Sequence, residues 1–506
     1  MAEATMRAIG MAAVLTAMGG LVATGPAQAQ DFDLDRLTAH DAARDLCFGK
    51  YSSEALVSAV LARIKAKPEL NAFITLDEAG ALKAARAFDA RKSRGDCQPL
   101  GGVPVAIKDN IEVAGLPASA GTPALKAYVP VKDAPVVARL RAAGAIVIGK
   151  TNMHELAFGI SGYNTAFRTG ANEGVRNAYD AGRIAGGSSS GNGAALGSRM
   201  LAIALGTDTG GSVRVPCALN GCASLRPTIG RYPAGGIAPI SHTRDTAGPM
   251  AGTLTDVALL DRVIMGGAEP TPANLKKLRL GVVPAMLANL DDDTRAAFVA
   301  AWAKLSEAGV TVVEVQMPDL MKLNAEVSFL VALYEANDDM VAYLKRGPGI
   351  TLAQLAAQIS SPDVKGTYDG LVLPRKLPGP NDTLVDARPA YEAAIRKSRP
   401  ALQALYRTTF KANKLDALIF PTVPKVAIAA NPDSSSLANF ALFIQNTDPG
   451  SNAGVPGLQL PVALGATSKL PIGLELDGPA GSDRKLLAIG LALESLFPRL
   501  PPPGRT

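Results

Sequence analysis

Between positions 37 and 87 apolar residues recur at spacings of three and four, most clearly in SSEALVSAVLARIKA, which predicts helix with a break at Pro68. Ser52 or Ser53 is placed to cap that helix, with Glu54 in its first turn. The period changes in GGVPVAIKDNI, where the β-branched run 103–107 predicts a strand that delivers Lys108 at its C-terminal end. APVVARLRAAG then predicts a helix and AIVIGKTN a strand, the alternation of an α/β protein. Positions 194–204 read as helix, followed by a long segment of Gly/Pro-punctuated turns and short strands, RPTIGRYPAGGIAPISHTRDTAGPM. Helix resumes over 255–265. LRLGVVP, a helix over 293–308 and VTVVEVQMP form another strand–helix–strand unit. Further helices run through Tyr343 and over 386–412, with a polar loop at 378–382 before the second. LDALIFPTVP and KLPIGLELDG read as late strands and DRKLLAIGLALESLF as the closing helix. No internal repeat or linker divides the chain, so one large domain is expected.

Composition supports a large buried core: of 506 residues 48% are hydrophobic and 19% charged, with no long polar tract. The first residues change the picture. A lone Arg7, an apolar run over 8–23 broken by Gly19 and Gly20, and an Ala27-Gln28-Ala29 site predict an export signal cleaved after Ala29, leaving 30–506 as a periplasmic or secreted domain. No later apolar run is long enough to span a bilayer, so no stable membrane insertion is expected. The net charge of +6 is spread out without a basic stripe, which argues against nucleic-acid binding. Export makes disulfides possible for the four cysteines. A bridge between Cys47 and Cys97, in polar surroundings, is left open; Cys217 and Cys222, in apolar context, are expected to pack as small hydrophobes. There is no Cys-x-x-Cys or His-rich cluster to support a metal or haem site.

Two motif matches mislead. Gly144 to Thr151 fits a phosphate-loop pattern, but its intervening AIVI reads as buried strand, whereas a phosphate cradle needs a loop there. Gly187-Ser188-Ser189-Ser190-Gly191 fits a nucleophile elbow, yet the preceding DAGRIA is a poor strand, leaving a Ser189–His242 pairing only a formal alternative. With three histidines in all, His40, His154 and His242, another proton acceptor is needed, and His154 reads as structural or supporting. A lysine desolvated at a buried strand end can serve, because burial disfavours its charged form; Lys108 has that setting. GTDTGGS offers what a nucleophilic hydroxyl requires: Ser212, with the backbone amides of Thr209, Gly210, Gly211 and Ser212 to receive an oxyanion.

Gly-Gly-Ser-Ser-x-Gly, then Gly-Thr-Asp-x-Gly-Gly-Ser-x-Arg-x-Pro, after Gly-Val-Pro-x-x-x-Lys-Asp, resembles the amidase signature family of serine hydrolases. The likeness extends through RNAYDAGRIAGGSSSG, SLRPTIGR, DTAGPMAGTLTDVALL, FPTVP, NAGVPGLQLPV and LPIGLELDGP, over roughly residues 40 to 496. It implies a single α/β domain with a central mixed β-sheet surrounded by helices, and no cofactor or metal. It also implies Ser212 as nucleophile, Ser188 as a cis-peptide serine that relays protons, and Lys108 as base, with Asp208, Arg214, Ser189 and Thr207 in support. Ser190, where the family usually has glycine, and Asn220, Cys222 and Ser224 depart from the pattern. GRYPAGGIAPISHTRDTAGPMA and LYEANDDMVAYL resemble the indoleacetamide and mandelamide hydrolase branch, which implies a small arylalkyl primary amide as substrate. Phe329, Tyr334 and Tyr343 are the candidate pocket residues. Anilide or carbamate cleavage is the rival within the family, and a periplasmic solute-binding protein the rival outside it; a homodimer stays open. An export signal argues against the family's tRNA-dependent amidotransferase subunit.

Overall fold

In the computed structural model residues 32–91, 97–168, 172–378 and 383–504 are described; the export signal expected over 1–29 and most of the 378–382 loop lie outside them. The strands, in chain order, are β1 (Phe73–Leu76), β2 (Pro104–Lys108), β3 (Ile146–Thr151), β4 (Ile203–Asp208), β5 (Ala223–Arg226), β6 (Thr246–Ala251), β7 (Arg279–Val282), β8 (Thr311–Glu314), β9 (Lys376–Pro378), β10 (Leu384–Asp386), β11 (Ala417–Pro421), β12 (Gly457–Leu464) and β13 (Pro471–Asp477). Eleven of them form one sheet in the order β1-β3-β2-β4-β6-β5-β12-β13-β11-β7-β8, while β9 and β10 pair separately. The sheet is mixed: β2 runs parallel to β3 and β4, and β7 to β8 and β11, whereas β4–β6, β5–β6, β5–β12 and β12–β13 are antiparallel. Asp33–Thr506 is one compact unit, as expected. No helix among the described residues is long and apolar enough to cross a membrane.

Register positions the chemistry. Val105 pairs with Ile203 and Ile107 with Leu205, so Lys108 and the Thr207-Asp208 pair emerge at the same, C-terminal edge of two adjacent parallel strands. That edge is where open α/β sheets build their sites.

Four expectations need correction. Positions 194–204 are not one helix: the helix is Ser190–Gly197, Arg199 takes a left-handed φ of 59°, and the apolar run that follows enters β4. A continuous apolar run does not by itself distinguish a buried helix from a buried strand. β1 interrupts the helical reading of 37–87, because its FITL pairs with β3 at the sheet edge. β12 was not anticipated as a strand, although it lies at the centre of the sheet between β5 and β13. Cys217 and Cys222 are joined in a disulfide, with Cα atoms 4.5 Å apart across the end of helix Arg214–Asn220; the turn at Gly221 folds the chain back and brings them together. Cys47 and Cys97 are also joined. The strand reading of AIVI, which excluded a phosphate loop, is matched by fully buried β3.

Candidate active site

Lys108 is wholly buried, and its Nζ donates to Ser188 Oγ at 2.8 Å and to Thr207 Oγ1 at 2.7 Å. Asn110 Nδ2 donates to the same Thr207 hydroxyl at 3.1 Å. Burial lowers the Lys108 pKa to about 7, against the upward pull of Asp208 and Asp245. A neutral lysine within hydrogen-bond reach of a serine hydroxyl is able to accept its proton. The Gly187–Ser188 peptide is cis. Ser189 N–H donates to the Ser212 carbonyl at 3.1 Å, which holds this segment against the backbone of the second serine.

The Ser212 turn is shaped by Asp208. Its carboxylate accepts from Gly211 N–H at 2.9 Å and Val213 N–H at 3.1 Å, from Arg214 at 3.1 Å and from Arg226 at 2.8 Å. Burial alone would raise the Asp208 pKa; the two guanidinium groups and the amides overcome it and hold the carboxyl well below its usual range. Arg214 continues to Glu475 at 2.5 Å and Ser451 at 2.7 Å. Gly211 has φ 141°, and a Cβ there would strike Thr447, whose hydroxyl donates to the Gly210 carbonyl at 2.6 Å. Only glycine fits both demands. Of the four candidate oxyanion amides, Gly211 N–H is therefore engaged by Asp208, while Thr209, Gly210 and Ser212 line the adjoining cavity.

Removing one partner of a buried charge network leaves the others unpaired. Asp208→Asn is accordingly expected to cost about 3–5 kcal/mol of folding stability, measured by urea denaturation at neutral pH. The contribution of this depressed carboxyl is fully present above the ordinary aspartate range, begins to fall as the pH enters that range and is lost only as the pH drops through the much lower folded value, so variant and parent should draw together progressively in strong acid.

The cavity has a volume of about 470 Å³ and opens beside Ser212, Thr209 and Gly210. Its walls come from five separated stretches: Ala157–Ile160, the Ile240–Arg244 loop, helix Leu320–Arg346, helix Pro362–Thr367 with Leu371, and 435–448. Phe329 lines it, with its ring 5.2 Å from that of Phe440. Tyr334 and Tyr343 do not line it. On the long helix Ser328, Phe329, Ala332 and Leu333 share the cavity face. Tyr334 is turned about 100° further round than Leu333, and it stacks on Tyr391 at 4.2 Å. Tyr343 lies about 20 Å further along the helix axis than Phe329, buried edge-on against Tyr128 at 6.3 Å.

Ser189 and Thr207 are bonded into the same group of side chains: Ser189 Oγ donates to the Thr207 carbonyl at 3.2 Å, and Thr207 Oγ1 accepts from Lys108. The Ser189 hydroxyl is thereby committed, and His242 is held by Asp339 at 3.0 Å, so the alternative Ser189–His242 pairing is not formed. His242, Glu335 and Asp339 cluster, but Glu335 is already occupied by Ser241, Thr243 and Tyr391; the group fastens the 240–245 loop to the long helix. The unusual Ser190 turns its hydroxyl back onto the Ser188 carbonyl at 3.4 Å and does not line the cavity. Asn220 ties helix Arg214–Asn220 to the Ala185 carbonyl at 2.6 Å.

Sequence reasoning missed Arg226, Arg244, Asp245, Asp448 and the His154–Asp363 pair. A charged residue inside an apolar run, as in CASLRPT, is the signal that singles out Arg226. Arg244 is bonded to Asp448 in the cavity wall and donates to the Ser328 carbonyl at 2.6 Å. Thr209 Oγ1 donates to Asp245 at 2.6 Å.

Known proteins are similar to this chain along most of its length. The family profile described as Amidase matches residues 55–487. The chain is 46% identical over 480 residues to a mandelamide hydrolase of Pseudomonas putida, covering 94% of this chain and 95% of that one. It is 42% identical over 453 residues to an indoleacetamide hydrolase of Rhizobium radiobacter, covering 88% and 93%. The structure of native peptide amidase from Stenotrophomonas maltophilia superimposes with a TM-score of 0.78 at 30% identity, covering 94% of this chain and 100% of that one. A lysine-to-serine contact buried at the strand ends, a glycine turn beside a cavity and likeness of this extent have one meaning: the chain belongs to the amidase signature family and hydrolyses carbon–nitrogen amide bonds.

Proposed function

We propose that the protein converts a small arylalkyl primary amide to its carboxylic acid and ammonia through an acyl-enzyme on Ser212. The observation that carries the substrate class is the cavity beside Ser212, sized for one small molecule and walled by Phe158, Phe329, Leu333 and Phe440. The relatives named for mandelamide and indoleacetamide hydrolysis support the same class. Neutral Lys108 takes the proton of Ser188, Ser188 takes that of Ser212, and the Ser212 oxygen attacks the amide carbonyl. The amides of Thr209, Gly210 and Ser212 receive the oxyanion. The proton returns through Ser188 to the leaving nitrogen, ammonia departs, and the carbon–nitrogen bond is replaced by a Ser212 ester. Water, deprotonated by the same relay, cleaves that ester and restores the Ser212 hydroxyl.

The test is ammonia release from indole-3-acetamide, mandelamide, phenylacetamide, short aliphatic amides, an anilide and a carbamate. Preferential turnover of the arylalkyl primary amides is the expected result. Inert arylacetamides together with amine release from the anilide or carbamate would replace this substrate class by its rival within the family.

The proposal includes export, with residues 1–29 removed after Ala29. Two disulfides and no free cysteine among the described residues support an oxidising compartment. Sequencing the N-terminus of the protein from a periplasmic fraction should begin at Gln30; an uncleaved chain confined to the cytoplasm would refute this part.

A further inference from the structure

The cavity wall carries charge at two places, and they are built differently. Arg244 and Asp448 are spent on each other, with the Ser328 carbonyl taking another Arg244 N–H and Asn324 and Asn452 each donating to Asp448 at 3.0 Å. Asp363, on helix Pro362–Thr367, has among the described residues a single side-chain partner: His154 Nε2, 2.8 Å from its Oδ2. The His154 side chain is fully buried, whereas that of Asp363 is 23% exposed and lines the cavity. A carboxylate has about four acceptor positions, and after His154 and the backbone N–H groups of Asp363 and Val364 the cavity side of Asp363 still retains capacity for a ligand.

The support behind this carboxylate is extensive. Gly159 has no side chain where the His154 ring lies, and a Cβ there would collide with it. The other ring nitrogen is 3.4 Å from Ser161 Oγ, which is 2.7 Å from Ser435 Oγ, so both ends of the chain of polar contacts reach the cavity wall. His154 N–H also donates to the Ser188 carbonyl at 3.2 Å, tying this wall to the lysine–serine segment. Burial acts to raise the Asp363 pKa, but His154 and neighbouring backbone N–H groups outweigh it and hold the carboxyl below its ordinary value. The group is an acceptor at neutral pH, set in an otherwise largely apolar chamber where such an acceptor discriminates strongly between ligands with and without a matching donor.

We infer that Asp363, positioned by His154, is the hydrogen-bond acceptor for an N–H or O–H group on the aromatic portion of the substrate. Indole-like or phenolic arylalkyl amides are then preferred over isosteres without a donor. The inference rests on the arylalkyl amide reading above and adds a second recognition point to it.

Matched pairs test it: indole-3-acetamide against benzothiophene-3-acetamide, and 3- and 4-hydroxyphenylacetamide against phenylacetamide. In the parent enzyme kcat/KM should favour the donor-bearing member of at least one pair by about tenfold or more. Asp363→Ala should erase that preference, bringing the kcat/KM ratio between the donor-bearing and donor-free members of the pair to about one, chiefly through a higher KM for the donor-bearing amide. Asp363→Asn, which preserves the shape of the side chain, should weaken the preference and serves if the alanine variant does not fold. No preference in the parent, or an equal loss on both members in the variants, overturns the inference and makes Asp363 a fastening of the cavity wall. If the parent turns over neither member of any pair, the arylalkyl reading itself fails, a result distinct from a lost preference.

Discussion

Ser212→Ala is expected to abolish ammonia release from every amide the parent hydrolyses, a loss on the order of a millionfold in kcat by comparison with other serine hydrolases stripped of their nucleophile. The size of the effect follows from the proposed covalent mechanism: without the Ser212 oxygen no acyl-enzyme would form, and Ser188, buried and bonded to Lys108, does not line the cavity. The variant should keep its fold, because Asp208 holds the turn through the backbone of Gly211 and Val213 and through Arg214, none of which involves the Ser212 hydroxyl. Unchanged thermal unfolding with no turnover is the expected pair of results. Substantial residual activity in a pure sample would remove Ser212 from the mechanism.

The second large effect concerns Lys108. Lys108→Ala should lower kcat/KM by about a hundredfold to ten-thousandfold, the range for losing a general base. Lys108→Arg should be no better, because a guanidinium stays protonated and cannot accept the Ser188 proton. In the proposed relay the working form of Lys108 is the neutral amine. With the Lys108 pKa lowered by burial to about 7, kcat/KM should be low in acid and climb through a midpoint near that pH. A rate flat from pH 5 to 9 would mean that Lys108 is not the titrating base. The variants separate this from a structural role, since loss of the Lys108 contacts to Ser188 and Thr207 alone would lower the rate without removing its rise with pH.

Lys108 and the two serine-bearing segments were legible because VPVAIK, GGSSSG and TDTGGS are short segments whose type is explicit; the roles proposed for Lys108, Ser188 and Ser212 came with the family resemblance. VPVAIK ends a buried strand, GGSSSG and TDTGGS put hydroxyls among glycines, and the structure brings Lys108 to Ser188 and Ser188's neighbour to Ser212. Asp208 and Arg214 were legible as flanks of that turn, but their third partner, Glu475, sits far along the chain. Phe329 was selected on the same grounds as Tyr334 and Tyr343. Aromatic character does not say which face of a 27-residue helix meets a cavity, or how far along it the cavity extends.

By itself, the sequence determined the α/β class, the single domain, the strand that carries Lys108 and the two serine-bearing turns. Each of these rests on periodicity or on backbone demands that operate over a few residues. Tertiary structure alone decided the place of β12 at the sheet centre, the pairing of Cys217 with Cys222, the enclosure of Asp208 by Arg214 and Arg226, and the setting of Asp363 against His154. These depend on which distant segments pack together: His154 and Asp363 are separated by 209 positions, and no local pattern encodes their meeting. The cavity is the extreme case, since its walls come from stretches with no common periodicity and its shape exists only once the sheet has gathered them around one edge.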